Sequence, residues 1–272
     1  MGSYQILVLD LDGTLTNSKK EITKPTLEAL LDIQKQGKKV VLASGRPTQG
    51  VIPLAEELHL GDYGGYVLSF NGGRIIDCRS GQIIYNRTLP SDVYHPAYEL
   101  AKKYANRGID ILTYDDKNII SGICTNQYTE LESRINHMEI KRVDNFPDYI
   151  HFPVNKLLGT GDSDAIAELK KDVSGHFRSY LNIYCSEPFF LEIMPQNIDK
   201  AHSLQKLLNS IGLTSNEMIC CGDGYNDITM IESAGLGVAM ANAQPLVLEK
   251  ADYITKSNDE DGILHVINQF MR

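Results

Sequence analysis

Short runs of consecutive apolar residues alternate along this chain with stretches whose apolar positions recur every three or four residues. The first run, Tyr4–Leu9, has the length and character of a buried strand and stops at a Gly-containing turn. A helix is predicted over about Lys24–Gln36. Thr23 fits its N-cap and Pro25 its first turn; Leu27, Leu30, Leu31 and Gln34 share a face, and Gly37 ends it. Lys39–Ala43 reads as a second buried strand, Val51–Leu58 as a helix, and Tyr66–Phe70 as a third strand ending in Asn71-Gly72. Repeated strand–helix units of this kind predict a parallel sheet with right-handed crossovers.

The rhythm changes after Gly73. Arg74–Arg87 predicts a hairpin turning at Arg79-Ser80-Gly81. Beyond it come a helix (Val93–Arg107), strands near Ile109–Tyr114 and Asn118–Cys124, and helical stretches near Tyr128–His137 and Asp164–Asp172. Strands near Arg178–Tyr184 and Phe189–Met194 follow. This segment predicts a small open sheet with helices on one face. The parallel rhythm then returns: helix Lys200–Ile211, strand Met218–Cys221, a helix through Ile231, strand Leu236–Met240, a short helix and strand Tyr253–Ile254. The expected fold class is α/β. Residues 1–86 and 188–272 would form a discontinuous Rossmann-like three-layer α/β/α core with a parallel sheet, and residues 87–187 an inserted α+β domain.

Composition narrows the functions this fold could carry. The chain has 272 residues and a formal net charge of −9, which argues against a nucleic-acid or anionic-membrane partner. No apolar stretch is long enough to predict a transmembrane helix, and no secretory leader pattern opens the chain. Cys78, Cys124, Cys185, Cys220 and Cys221 form no C-x-x-C pair, so free thiols in a reducing cytoplasm are expected. The expected state of assembly is a monomer or weak homo-oligomer. The seven histidines show no metal-ligand spacing.

Polar clusters stand where the core strands end: Asp10-Leu11-Asp12-Gly13-Thr14, Ser44-Gly45, and Gly222-Asp223-Gly224-Tyr225-Asn226-Asp227, with Lys200 at a helix start. Loops at the carboxyl ends of parallel strands line the ligand crevice of such sheets, which would gather these clusters into one site. Two carboxylates two positions apart, leaving a buried strand, call for a cation. Each cluster alone could be an ordinary solvated turn; their joint occurrence in order is the informative feature.

On these motifs the chain resembles the haloacid dehalogenase superfamily of phosphatases, in the Cof-type branch with a C2B cap, over essentially its full length. The resemblance implies Asp10 as nucleophile and Asp12 as general acid and base. It also implies phosphate contacts from Leu11, Ser44, Gly45, Lys200 and Asn226. The expected metal is Mg²⁺, held by Asp10, Asp223 and the Asp12 backbone carbonyl, which leaves the Asp12 side chain free. Asp227 would orient Lys200 or metal-bound water. A cation is physically required, because a phosphate charge about 4 Å from Asp10 is opposed by roughly 4 kcal/mol at an effective dielectric of ~20. All-oxygen ligands suit Mg²⁺. The inserted domain would be a lid that selects a small phosphorylated metabolite, such as a sugar phosphate. Two alternatives share the phosphorylated aspartate: a phosphotransferase of the phosphomannomutase type, and a phospho-accepting signalling module, against which Asp12 weighs.

Overall fold

The computed structural model describes residues 4–272. The chain divides into two compact units. One comprises the chain up to Asn86 together with Asp199–Arg272, the other Arg87–Ile198.

The first unit opens with β1 (Ile6–Leu9), α1 (Lys24–Lys35), β2 (Lys39–Ala43), α2 (Thr48–Glu57), α3 (Leu60–Tyr63) and β3 (Tyr66–Ser69). The hairpin β4 (Arg74–Asp77) and β5 (Ile83–Asn86) follows. Helix α1 lies where its apolar periodicity puts it. Thr23 occupies its N-cap position, but its hydroxyl hydrogen-bonds Asp261 instead of capping the helix. The buried polar member of its apolar face, Gln34, donates from Nε2 to the Leu58 carbonyl at 2.9 Å.

The second unit contains α4 (Tyr94–Lys102), β6 (Asp110–Tyr114), β7 (Asn118–Ser121), α5 (Gln127–Asn136) and β8 (Glu139–Arg142). It continues with α6 (Phe146–Tyr149), β9 (Leu157–Thr160), α7 (Ser163–Phe177), β10 (Leu181–Glu187) and β11 (Phe190–Pro195). Its sheet runs β10-β11-β9-β6-β7-β8. Three expectations are corrected here. The boundary expected at 187/188 lies at 198/199, because β11 pairs antiparallel with β9 and β10 and belongs wholly to this sheet. The helix expected over Val93–Arg107 ends at Lys102, and Ala105–Arg107 forms a separate 3₁₀ turn closed by Gly108 at φ +75°. The helices do not share one face. Ile111, Leu157 and Ile193 pack with α4 and α7. From the other face Asp110 and Tyr114 accept or donate hydrogen bonds to Thr129 and Glu132 of α5.

The chain then returns to the first unit through α8 (Lys200–Ile211), β12 (Met218–Gly222), α9 (Ile228–Ser233), β13 (Leu236–Ala239), α10 (Pro245–Lys250), β14 (Tyr253–Ile254) and α11 (Gly262–Phe270). Among the described residues its sheet runs β14-β13-β12-β1-β2-β3-β4-β5. The pairings from β14 to β3 are parallel, while β4 and β5 add an antiparallel edge. Both faces are covered, which is why the central strands read as continuous apolar runs. Leu7, Leu9, Val40 and Leu42 pack with α1 and α11. On the opposite face Ile6, Val8, Val41 and Ala43 pack with Leu204, Leu207 and Leu208 of α8. Neighbouring parallel strands β12, β1 and β2 therefore end side by side.

Candidate active site

The first unit gathers four buried or half-buried groups at those strand ends. Asp10 follows β1, Asp223 follows β12, Asp227 lies in the next 3₁₀ turn, and Lys200 is the first residue of α8. Lys200 is completely buried. Its Nζ donates to Asp10 Oδ1 at 2.6 Å, to Asp227 Oδ1 at 2.6 Å and to the Ala43 carbonyl at 2.8 Å, so all three of its protons are used. Burial opposes the charge on Lys200, but the two carboxylates outweigh it and keep the amine protonated.

Asp227 has both oxygens engaged. Oδ1 takes Lys200, and Oδ2 accepts the backbone N–H of Asp223 at 3.0 Å and of Gly224 at 2.9 Å. It folds the Gly222–Asp227 loop back on itself and fixes the lysine. Asp223 is held differently, by the Thr14 hydroxyl donating to its Oδ1 at 2.7 Å.

One ligand atom from each of Asp10, Asp223 and Asp227 lies within 4.8 Å of the others. Three carboxylates with one lysine leave this buried place short of positive charge. Burial and the neighbouring Asp227 accordingly push Asp223 up to about 6, and burial with Asp227 and Asp223 raises Asp10 well above the ordinary carboxylate range. Oxygen donors with an uncompensated negative charge fit a hard divalent cation. Asp227 already accepts three hydrogen bonds, so the donors least committed elsewhere are those of Asp10 and Asp223.

Gly13 sets the spacing between the β1 loop and Asp223. Its φ is +84°, and a Cβ there would stand 2.4 Å from Asp223 Oδ2. Gly13→Ala should therefore cost about 1–2 kcal/mol in backbone strain and displace that carboxylate. We expect at least about a tenfold rise in the metal concentration needed for half-maximal stabilisation. A metal titration followed by thermal unfolding measures it, and an unchanged midpoint would contradict the assigned close approach.

Asp12 departs from expectation. Its side chain is not free: Arg46 grips it with Nε on Oδ2 at 2.8 Å and Nη2 on Oδ1 at 2.6 Å, and Lys20 Nζ adds a contact to Oδ1 at 2.7 Å. Burial acts to raise this carboxyl, but the two cations prevail and hold it below its ordinary value. From the sequence Arg46 could reach substrate or pair with a surface acid, and nothing singles out Lys20. The adjacency of Arg46 to Ser44-Gly45 was the available signal; for Lys20 there was none, since it reaches back across a loop.

The remaining expected residues join through a neighbour. The Ser44 hydroxyl is buried and accepts the Arg46 backbone N–H at 3.1 Å. Gly45 lies against Asn71, whose Oδ1 would be 3.1 Å from any Cβ on that glycine and accepts Asn226 Nδ2 at 3.0 Å. Asn71 thus ties the loop after β2 to the loop after β12, and its positive φ fits the turn expected at the end of β3. Phe70, Asn71 and Gly72 all have positive φ (53°, 53° and 98°). For a phenylalanine this is strain, opposed by hydrogen bonds from Phe70 N to Arg46 O and from Asn71 N to Ser44 O. The Leu11 side chain is fully buried, and its carbonyl receives Thr14 N and Thr16 N, which leaves only its backbone to face the loop.

The chain matches a known family model, described as haloacid dehalogenase-like hydrolase, over residues 7–267. The chain belongs to that family. A crystal structure of a haloacid dehalogenase-like hydrolase from Bacteroides thetaiotaomicron superposes with a TM-score of 0.94 and 46% identity, covering 98% of this chain and 99% of the other. YxeH of Bacillus subtilis (strain 168) is 32% identical over 273 residues, 98% of each chain. The 5-amino-6-(5-phospho-D-ribitylamino)uracil phosphatase YcsE of the same organism is 28% identical over 267 residues, covering 98% of this chain and 96% of YcsE. The family member described here is accordingly an enzyme, a hydrolase of the phosphatase type. Among its described residues, no helix is long and apolar enough to cross a membrane.

Proposed function

We propose that this enzyme hydrolyses small phosphomonoesters, sugar phosphates or similar metabolites, with Mg²⁺ and through an aspartyl-phosphate on Asp10. The observation that carries the reading is Lys200, bridging Asp10 and Asp227 beside Asp223 at the ends of adjacent strands. An Asp10 oxygen attacks phosphorus, the ester P–O bond breaks, and Asp12, protonated in this step against the hold of its two cations, gives that proton to the departing alcohol oxygen. Water then attacks the same phosphorus and yields a proton to Asp12, while the P–O bond to Asp10 breaks and inorganic phosphate leaves.

The other assignments follow from what each group offers. The Ser44 hydroxyl and the backbone N–H groups of Gly45 and Leu11 receive phosphoryl oxygens, with Asn226 adding a side-chain amide. Lys200 keeps one Asp10 oxygen in place and offsets developing charge. Asp227 holds Lys200. Mg²⁺ bound by Asp10, Asp223 and the Asp12 carbonyl would neutralise the approaching phosphate and stabilise charge on its oxygens. The second unit is read as the cap that selects the leaving group. YcsE bears the name of a phosphatase for a ribityl phosphate, which supports a small polyol-like ester as substrate class.

The test is phosphate release across a panel of sugar and polyol phosphates, with and without a chelator. Release that a chelator stops and Mg²⁺ restores supports the reading. Isomer formation without net phosphate release would replace it with phosphotransfer, and no turnover on any monoester would overturn it.

The raised carboxyls make cation binding depend on pH. Asp223 titrates near 6 against an unperturbed value of 3.8, so its favourable contribution to the metal-free fold is present at low pH and is lost as pH rises through 6. Mg²⁺ binds the ionised form. The rise in Tm on adding Mg²⁺ should therefore be large near pH ~8 and small near pH ~5. Thermal unfolding at both values checks this; an equal shift would show that Asp223 does not bind the cation.

A further inference from the structure

We propose that Arg46 is a positioning residue for the acid–base step: its guanidinium fork fixes the plane of the Asp12 carboxylate and dictates which oxygen carries the transferred proton. This rests on the phosphatase reading above and goes beyond it. The family-wide roles expected from the sequence include Asp12 but give Arg46 no part.

A carboxylate on a single Cα–Cβ–Cγ stem rotates freely unless both oxygens are engaged. Here the fork takes one lone pair on Oδ2 and one on Oδ1, and Lys20 takes the second on Oδ1. A carboxylate offers about four acceptor positions. Among the described residues, the one left is on Oδ2. The proton that Asp12 gives to the leaving oxygen, and the proton it later takes from water, would both pass through that position. Arg46 stays charged and donates hydrogen bonds throughout; it transfers no proton.

The fork is itself anchored. The Arg46 side chain is only 11% exposed, and Nη1 donates to the Gly50 carbonyl at 3.2 Å. The backbone of the same residue donates to the Ser44 hydroxyl at 3.1 Å and accepts Phe70 N at 3.0 Å. One residue thus joins the hydroxyl expected on the phosphoryl group to the carboxylate expected on the leaving group. A shift of either is felt by the other through a rigid, two-point contact. Lysine has no planar fork and cannot make it. Lys20 is far more exposed, with its side chain 59% accessible, and makes a single contact. It narrows the choice of oxygen but does not fix the plane.

The experiment compares an alkyl phosphate with p-nitrophenyl phosphate, whose leaving group departs without a proton. Arg46→Met should lower kcat on the alkyl ester by about 100-fold with KM within about twofold. On the aryl ester it should give a burst of nitrophenolate equal to the enzyme present, then slow turnover, because dephosphorylation still needs Asp12 as base. Inhibition by inorganic phosphate should keep its strength. Arg46→Lys should recover little of the lost rate. In an Asp12→Asn background, Arg46→Met should have no further effect on the alkyl ester.

Additive losses in that double variant would overturn the proposal. So would equal rises in KM for both esters with weaker phosphate inhibition, the signature of a direct phosphate ligand. If the unsubstituted enzyme turned over no monoester at all, the proposed function would fail instead, and the two failures are told apart by that control.

Discussion

Asp10→Asn should lower phosphomonoester turnover by at least about four orders of magnitude, equivalent to ~5.5 kcal/mol in the barrier. The amide keeps the shape of the side chain but is no nucleophile toward phosphorus. Loss of folding is not the expected cause. The site holds three carboxylates against one lysine, and burial with the neighbouring aspartates already raises Asp10 well above its ordinary range. Removing one negative charge relieves that crowding, and Lys200 retains Asp227 and the Ala43 carbonyl. The metal-free variant should thus unfold at the same temperature as the parent or higher. Rapid quench with a labelled substrate provides the second readout: the parent should carry acid-stable, hydroxylamine-sensitive label and the variant none. A variant that kept even a tenth of the activity would remove Asp10 as the point of attack.

Lys200→Met should act on both stability and rate. The amine is buried and satisfies three acceptors; methionine fills its volume but leaves Asp10 and Asp227 facing each other without a cation. Breaking a buried pair in this way costs about 3–5 kcal/mol, near 10 °C in Tm for a chain of this size. Because burial and its aspartate neighbours already raise Asp10, that carboxyl takes up a proton as pH falls and the penalty shrinks. The loss should accordingly be large near pH ~8 and much smaller near pH ~5. Turnover should fall about 1,000-fold with loss of the fixed positive charge. Equal destabilisation at both pH values would mean that packing, not charge, explains the lysine.

Legibility differed sharply between the two units. In the first, β1, β2 and β12 are buried on both faces, so their sequences are uninterrupted apolar runs, and Asp10, Ser44 and Asp223 fall directly after them. Helices α1 and α8 were bounded by their own periodicity. Helix α11 lies outside the elements expected from the sequence, although Ile263, Val266 and Ile267 are core residues. In the second unit, β9 is likewise absent from the expected elements, although it lies between β11 and β6. It is four residues long and contains a glycine, and nothing local separates it from a loop. Strand β8 (Glu139–Arg142) is polar and at an edge, held by its parallel pairing with β7 and not by apolar pattern. The domain boundary shifted for a related reason. A hairpin strand such as β11 has no local mark telling which sheet it will join.

The order of residue types along the chain by itself determined the layered α/β core, the carboxylates and lysine at its strand ends, and the chemistry they suit. Those features are local or periodic, and each follows from the backbone geometry of a few neighbouring residues. Only the tertiary structure decided that Asp12 lies in the grip of Arg46 and Lys20, that Asp227 is spent on Lys200 and its own loop, and that Asn71 ties two distant loops. Such contacts join residues far apart in sequence, and side-chain hydrogen bonds across that distance leave no periodic trace to read.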